Sequence, residues 1–448
     1  MKNAFSAVVF LLLGLSFSLQ AGNSPWSDWP HWLGPLRNGS SPEKGLLREW
    51  PEEGMKQLWL QKVPRGEGSV CVYKGQIFIS GAAAINGIDS VVCCLDAFSG
   101  KLVWKSPYKF ERKPAPIGWG YCARDTISAT EKYVYHMHEQ GPLICLNRTT
   151  GGIVWTRDLD AEYKPSHSDW NGFCMSPFAE DGIIFQPVGG DTLKRSDKAR
   201  YFGIDAATGK NTWDYAEGVG TTSYKEGGAS TFQTPALMTL GNDKCAVVIA
   251  NGKIFGIRIS DGKKLWTREG VVSQLSTVLV SGSYVLVSQN MTVFKVTKAD
   301  PSPDDKPLWK HAEGSHCITP VIKEGFIYAL VDVPGNVLPW KYTLKCIELE
   351  TGIVKWEQKG FESGASIMLA DGLLFIRTNT TLMLVEANPE KYVQKGKMEI
   401  FSGTNQFQLW GWVMPTLAYG RLFVRTESTV FCFQAAEKVP RREEIMNK

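Results

Sequence analysis

The chain has 448 residues and a formal net charge of +4. Its cationic side chains are scattered, and no stripe of them would follow a phosphate backbone, so we predict that the protein does not bind nucleic acid. The 44 glycines and 16 tryptophans suit a chain of many short strands and hairpin turns.

Residues 1–21 have the features of a signal peptide. Lys2 precedes an apolar run over Ala4–Leu19, and Ala21 before Gly22 offers a small residue at the cleavage site. A membrane anchor is the alternative, but the run is short for a membrane span and no basic stop follows it. We therefore expect an exported protein, periplasmic or secreted, with no transmembrane segment after signal removal.

Residues 22–55 form an irregular lead-in that is rich in Trp, Pro and Gly, and we expect it to cover one end of the protein. A short strand, Gln57–Val63, follows and carries Trp59. No strand that could pair with it immediately precedes it, so its partner must come from elsewhere in the chain.

One hairpin pattern then recurs along the chain. Each copy has a strand, a turn that ends in Gly, and a second strand that ends in Trp, and the clearest copies are Val91–Trp104, Leu143–Trp155, Tyr201–Trp213, Ile254–Trp266 and Leu344–Trp356. These tryptophans and Trp309 recur at intervals of roughly 40–60 residues, close to the ~40–50 residues of a four-stranded propeller blade. The repeat predicts a single domain over residues 56–435, followed by a charged tail over 436–448.

The count of strands predicts how the ring closes. Six repeats end on a Trp, and the seventh ends near Met398–Phe401 without one. The eighth has Arg421–Val424 and Thr429–Phe433 but no further strand. Pairing Gln57–Val63 with the eighth repeat completes it and protects the open edges. We predict an all-β, eight-bladed β-propeller of four-stranded antiparallel blades, closed by an N-terminal strand; the last residues of the tail are expected to fray.

Four of the ten cysteines occupy one position of the repeat, which indicates burial rather than disulfide pairing. Each lies two residues before the turn, and Gly stands there in two other copies; the four are Cys94, Cys145, Cys346 and Cys432. Free Cys behaves as a small buried hydrophobe. The adjacent Cys93 and Cys94 lie in a regular strand, where neighbouring side chains point to opposite faces. Whether these two pair remains open, and we favour two thiols.

The hairpins, with the pattern L-D-A-x-T-G-K-x-x-W, resemble the repeats of pyrroloquinoline-quinone-like (PQQ-like) propellers. That group includes quinoprotein alcohol dehydrogenases and the propeller lipoprotein of the outer-membrane β-barrel assembly machinery. The resemblance covers Gln57–Gln434, and the lead-in motif W-x-x-W-L-G-P-x-R-N-G-x-S is similar to that of many exported members. It implies the fold and says little about activity, because one fold supports many functions. A WD-repeat propeller is the alternative, but only Trp213-Asp214 has that pair.

Loops that connect successive blades gather at one mouth of the central channel, and here they carry polar and aromatic side chains. The candidate ligand-binding residues are Arg65, Glu67, Trp119, Tyr121, Arg124, Asp125, His167, Asp169, Trp170, Asn171, His316, Trp410 and Trp412. Such a mouth suits a protein, a peptide or a small organic ligand. The alternative is that the aromatic rings only plug the channel.

Two functions remain open. The first is a non-catalytic binding or assembly scaffold, and the second is a PQQ-dependent quinoprotein oxidoreductase acting on an alcohol or sugar. The resemblance to the dehydrogenases implies PQQ, a Ca²⁺ site, an Asp base and a basic residue at the quinone, which cannot be matched one by one here. His167, Asp169 and Asn171 are interpreted as surface groups rather than metal ligands. We therefore favour the scaffold and assign no catalytic residue, metal site or cofactor.

Overall fold

The computed structural model describes residues 25–82, 89–109, 123–163, 173–188, 199–217, 233–250, 252–271, 277–298, 306–315, 317–335, 340–400 and 413–446. Their strands form eight sheets, and seven of these follow the chain as hairpin-connected antiparallel strands. The predicted all-β, eight-bladed propeller is confirmed. The predicted signal peptide, residues 1–21, lies outside the described residues.

The strands of each blade are given from the channel outwards. The first four blades are β3 (Cys71–Tyr73), β4 (Gln76–Ala82), β5 (Asp89–Asp96) and β6 (Leu102–Lys109); β7 (Ser128–Ala129), β8 (Tyr133–Met137), β9 (Pro142–Asn147) and β10 (Ile153–Asp158); β11 (Phe178–Glu180), β12 (Ile183–Val188), β13 (Ala199–Asp205) and β14 (Asn211–Glu217); β15 (Ala236–Leu240), β16 (Asp243–Ala250), β17 (Lys253–Arg258) and β18 (Lys264–Glu269). A short helix, α1 (Leu159–Tyr163), follows the second blade.

The fifth to seventh blades are β19 (Leu279–Ser281), β20 (Tyr284–Val287), β21 (Thr292–Lys295) and β22 (Trp309–Lys310); β23 (Val321–Lys323), β24 (Phe326–Asp332), β25 (Lys341–Glu348) and β26 (Val354–Glu362); β27 (Ser366–Ala370), β28 (Leu373–Arg377), β29 (Thr381–Glu386) and β30 (Gln394–Glu399). The eighth is β31 (Thr416–Ala418), β32 (Arg421–Arg425), β33 (Thr429–Gln434) and, outermost, β2 (Gln57–Lys62).

The ring closes as predicted. Strand β2 pairs antiparallel with β33, with Trp59 opposite Cys432 and Lys62 opposite Thr429. The first strand of the propeller thus completes its last blade, and no covalent bond fastens the two.

Outer tryptophans join each blade to the next. In six blades the indole Nε1 donates a hydrogen bond of 2.8–3.3 Å to a backbone carbonyl in or beside the turn of the following blade, from Trp59, Trp104, Trp155, Trp213, Trp309 and Trp356. Trp266 differs: it is fully buried, and an insertion lengthens the corresponding turn in the fifth blade. A single repeated side chain therefore holds most neighbouring blades together.

The seventh blade takes its outer aromatic residue from the lead-in. Gly396 occupies the place of the missing tryptophan, and Trp50 lies on it, 2.7 Å from where a Cβ would stand. Trp50 also contacts Phe375 with ring centroids 6.2 Å apart, as Trp104 contacts the equivalent Phe78 at 5.9 Å. The observed outer strand, Gln394–Glu399, begins four residues and ends two residues before the predicted one near Met398–Phe401, and it lacks a Trp as predicted.

The lead-in also crosses the central channel. Trp29 pairs with Val72 of the first blade, Arg37 donates to the Ala179 carbonyl of the third, and Trp32 donates to Thr277 of the fifth. Strand β1 (Ser40–Ser41) adds in parallel to β27 of the seventh blade. A segment that touches inner strands on opposite sides of the ring must lie in the channel. It enters at the end of the ring where the first strand of each blade turns into the second and the third turns into the fourth. We call this the hairpin end.

The tail is docked, contrary to the expected fraying. Its backbone carbonyl at Pro440 accepts a hydrogen bond of 2.9 Å from Arg421, and helix α2 (Arg442–Met446) follows. Arg442 forms an ion pair with Asp96 of the first blade, and Ile445 packs on the core. The described part of the tail therefore lies at the junction of the eighth and first blades.

Cys93 and Cys94 face opposite sides of their strand, as expected. Cys93 packs in the core cluster between the first and eighth blades, and Cys94 packs in the cluster shared with the second blade. Both are free thiols. Within the described ranges, no helix has the length and apolar character needed to cross a membrane.

Candidate functional site

The end of the ring opposite the hairpin end carries the loops between blades, and we call it the loop face. Four predicted site residues are described there: Arg65, Glu67, Arg124 and Asp125. The other nine lie outside the described residues, so their placement remains a prediction: Trp119, Tyr121, His167, Asp169, Trp170, Asn171, His316, Trp410 and Trp412.

Arg65 fastens the loop before the first blade to the eighth. Its guanidinium forms an ion pair with Glu427, and its backbone carbonyl accepts a hydrogen bond of 2.7 Å from Ala82. More than a third of the Arg65 side chain is exposed, so it is the most accessible of the four.

Glu67 and Arg124 connect three blades. The Arg124 Nε lies 3.3 Å from a Glu67 carboxylate oxygen, and its Nη1 donates to the Cys174 sulfur at 3.4 Å. Burial raises the pKa of Glu67 to about 7, with Arg124 opposing the rise and Glu427 and Glu139 adding to it. The carboxyl therefore titrates near neutral pH.

Asp125 is an internal anchor. It is 1% exposed and accepts hydrogen bonds from Ser80 at 2.9 Å, from the Met137 backbone at 2.9 Å and from His136 at 2.8 Å. With these partners the carboxylate holds the second blade against the first. Its geometry suits positioning of the loop face better than direct contact with a ligand.

Sequence reasoning missed a hydrogen-bonded chain that ends on Asp125. The Gln140 N–H donates to His138 Nδ1, so the His138 proton lies on Nε2, which bonds Ser90 at 2.9 Å. Ser90 in turn bonds Tyr108, and Tyr108 bonds His136 Nε2. The whole chain is buried. The alternation of His136 and His138, which points both to one face of β8, was the available signal.

Glu139 follows this chain and is 4% exposed. One carboxylate oxygen lies 3.5 Å from His138 Nε2, and the other, Oε2, is buried and has no hydrogen-bond partner among the described residues. The carboxylate acts electrostatically on Glu67 and on Arg124. The acidic side of the loop face therefore spans the first two blades.

A hydroxyl ladder, also missed from the sequence, links the starts of inner strands. Each hydroxyl accepts a hydrogen bond of 2.8–3.0 Å from a backbone N–H of the preceding blade, and the acceptors are Ser69, Thr126, Ser176 and Thr234. The Ser or Thr two residues before each of these four inner strands was the signal. The ladder sets the spacing of neighbouring blades on this face.

Two buried arginines occupy equivalent positions at the ends of β28 and β32. Arg425 donates to the carbonyls of Gly68, Pro64 and Ser80 at 2.6–3.2 Å, which ties the eighth blade to the first. Arg377 donates to the Val413 carbonyl at 2.8 Å.

A separate groove of about 530 Å³ lies at the hairpin end, far from the predicted residues. Tyr73, Tyr133 and Tyr135 line it beside several acidic residues. Those acids are partly neutralised, because Glu131 pairs with Lys74, and Glu180 with Lys244 and Arg37. No residue that lines this groove was among the sequence-based candidates.

Comparisons with known proteins agree with this architecture. The family model described as outer membrane protein assembly factor BamB matches residues 88–358. A quinohemoprotein alcohol dehydrogenase, ADH-IIG from Pseudomonas putida, is 24% identical over 188 residues. That match spans 41% of this chain and only 25% of the dehydrogenase.

Two solved structures illustrate the likeness of fold. BamB from Moraxella catarrhalis is 14% identical with a TM-score of 0.56, over 85% of this chain and 99% of that one. The quinohemoprotein alcohol dehydrogenase from Comamonas testosteroni is 14% identical with a TM-score of 0.63, over 92% of this chain and 82% of that one. At these identities the likeness shows the fold alone.

Proposed function

Because the chain belongs to the family of the outer membrane protein assembly factor BamB, we propose that it is an exported, non-catalytic binding or assembly scaffold. It would bind a protein, a peptide or a small organic ligand through the loop face. The location that we propose is the periplasm or the exterior, from the apolar segment in residues 1–21.

The closed hairpin end is the observation that carries this proposal. The lead-in contacts the first, third, fifth and seventh blades, so the chain itself fills the channel from the hairpin end, and it reaches the fifth blade at Thr277, two residues before β19. A ligand that uses the ring axis is therefore expected at the loop face. There, Asp125 and the hydroxyl ladder connect the residues that precede neighbouring inner strands, which gives a rigid base for loops that bind a ligand.

A quinoprotein oxidoreductase is the second candidate, and the sequence match to a quinohemoprotein alcohol dehydrogenase favours it. That activity would use PQQ with Ca²⁺, which needs several oxygen ligands. No group of three His, Cys, Asp or Glu placed to hold a metal occurs in the described part of the chain. The residues described there do not fit the cofactor pair, and we derive no step through it.

Site-specific photocrosslinking tests the scaffold. A photoreactive amino acid is placed at Arg65 or Thr380 on the loop face, and at Glu131 or Asp181 at the hairpin end as matched exposed controls. In the cells that make the protein, we expect crosslinked partners from the loop-face positions only. Equal crosslinking from both ends would contradict a loop-face site.

Two further measurements separate the alternatives. Trp119→Ala and Trp170→Ala are expected to weaken partner crosslinking with little loss of thermal stability, whereas Trp104→Ala loses stability first. If Trp119→Ala unfolds as readily as Trp104→Ala, those rings are a structural plug. Dye-linked oxidation of an alcohol or sugar after addition of PQQ and Ca²⁺ would establish the oxidoreductase instead.

A further inference from the structure

Arg377 is a buried cation that no acidic group among the described residues pairs with. Its side chain is 2% exposed, and Nε is buried without a hydrogen-bond partner. The bond from Nη1 to the Val413 carbonyl is the one hydrogen bond that its side chain makes within the described ranges. No ion pair joins it to an acidic group there.

Two other buried arginines, Arg37 and Arg425, are compensated in ways that Arg377 is not. Arg37 lies 3.5 Å from Glu180, which opposes the lowering of its pKa by burial. Arg425 has three backbone carbonyls. For Arg377, burial alone lowers the pKa to about 10, and no acidic group counters it. At neutral pH the guanidinium is still charged, and an uncompensated charge in the interior is costly.

The position of Arg377 connects it to the loop face. It ends β28 opposite Ser366, the first residue of the neighbouring inner strand, and the Ser366 hydroxyl donates to the same Val413 carbonyl at 3.2 Å. Thr378 follows Arg377 in the chain, and Thr381 is the first residue of the neighbouring strand β29. Both are buried. The described surroundings are therefore neutral and hydroxyl-rich, at the loop-face end of the seventh blade.

The free edge of the guanidinium matches a carboxylate. With Nη1 committed to Val413, the Nε–H and the Nη2 group remain as a parallel pair of donors. This side of an arginine binds the two oxygens of a carboxylate in a planar, bidentate arrangement.

We propose that Arg377 anchors a carboxylate-binding site at the loop-face end of the seventh blade. The ligand would supply the missing negative charge, so the cost of burying the arginine is recovered only in the bound state. This inference rests on the proposal that the loop face is the binding face. It adds the chemical class of the ligand, a carboxylate, that the loop face binds at the seventh blade.

Calorimetric titration of malonate, with sodium chloride at equal ionic strength as the reference, tests the site. The variants are Arg377→Met and, as a matched control at the equivalent position of the next blade, Arg425→Met. We expect wild type and Arg425→Met to bind malonate, and Arg377→Met to bind at least tenfold more weakly. Arg377→Lys, which keeps the charge and loses the planar fork, should be intermediate.

Thermal unfolding without malonate separates a ligand anchor from a structural arginine. Arg377→Met should melt no lower than wild type, because it removes an uncompensated charge, whereas Arg425→Met should melt lower. No malonate binding by the wild type, undiminished binding by Arg377→Met, or an Arg377→Met variant as unstable as Arg425→Met would each overturn the proposal. None of these results depends on loop-face crosslinking, so the two proposals fail separately.

Discussion

At the residue scale, the repeat cysteines show why a small side chain is required. Cys94 lies opposite Trp104 in the strand pairing, and Cys432 lies opposite Trp59. Where Gly203 takes this place, a Cβ would stand 2.2 Å from Trp213 Nε1. The sequence predicts that the position is small and buried. The structure adds the reason, which is the indole lying across it.

The repeat thiols provide a first prediction. Cys94, Cys145, Cys346 and Cys432 are fully buried, and burial raises the pKa of each thiol. Because the thiolate is the reactive form, a thiol reagent should label these four only after denaturation. Labelling followed by peptide mass mapping checks this, and rapid modification of any of the four in the native protein would contradict it.

The pH dependence of stability provides a second prediction, at Glu67. Its folded-state pKa is about 7, above the ordinary value of 4.5, so the folded protein binds the extra proton between these values. Stability from this group is therefore present below pH 4.5 and is lost as the pH rises to 7. The full shift corresponds to roughly 3 kcal/mol, and partial exposure of the side chain should make the observed loss smaller.

Glu67→Gln should flatten this decline, as measured by urea unfolding between pH 5 and 8. The control is Glu131→Gln. Glu131 is exposed, and Lys74 lowers its pKa, so its contribution is lost at acidic pH instead. A Glu67→Gln variant with the wild-type pH profile would show that this carboxyl does not titrate as described.

At the element scale, the turn after the third strand of a blade serves the neighbouring blade. Gly151 has φ +74°, and a Cβ there would stand 2.5 Å from Trp104 of the preceding blade. The glycine thus serves both the backbone conformation and the docking of the indole. These hairpins were predictable because strand, turn and closing Trp lie within about fifteen residues.

Two glycine variants separate these roles and form a third prediction. Gly182 has φ +78° with no atom within 4 Å of an added Cβ. Gly182→Ala should cost about 1–2 kcal/mol from backbone strain alone. Gly151→Ala should cost about 2–5 kcal/mol, because overpacking adds to the strain. Chemical unfolding measures both, and equal losses would mean that the Trp104 contact contributes nothing.

The outer edge of the seventh blade shows the limit of local patterns. Trp50 comes from a segment more than 300 residues away in the sequence. Within the seventh repeat, the sign of this contact is Gly396, which has no side chain at the position where other repeats have Trp. A pattern confined to the repeat could not identify it. The four described site residues lie in loops, whereas partners of Asp125, such as Ser80 and His136, belong to strands and were missed.

At the scale of the whole molecule, counting strands predicted the closure but not the docking of the chain ends. The ring requires a partner for the eighth blade, and β2 was the spare strand. The lead-in and tail have no periodic pattern, and their contacts, such as Arg442 with Asp96, are long-range. Whether a residue of an irregular segment is buried depends on the surface of the folded ring that it packs against. The periodicity of the sequence does not predict that surface.

Deleting residues 1–63 provides the fourth prediction. It removes β2 and leaves β33 as an exposed edge, so the product should aggregate. Size-exclusion chromatography measures the outcome, and a soluble, unchanged monomer would refute closure by β2. Trp59→Ala should destabilise the intact protein by about 3 kcal/mol, the lower end for a large aromatic, because Trp59 is half-buried.

Deleting residues 441–448 is the matched control at the other terminus. It removes α2 and the Arg442 ion pair but exposes no strand edge. We expect a lower unfolding midpoint with the monomer retained. Aggregation of this variant would mean that the tail, rather than β2, protects the seam.

The seam between β2 and β33 also sets an order of events during synthesis. Lys62 and its partner Thr429 are 367 positions apart. At ~5–20 residues per second, the first strand waits roughly 20–70 s for its partner to emerge. During this interval β2 has no pairing partner, and the blade edges that it finally protects are also unpaired. The nascent chain cannot close the ring until β33 has been synthesised. It therefore exposes unpaired strands for a long period, and a chaperone can bind them during that time.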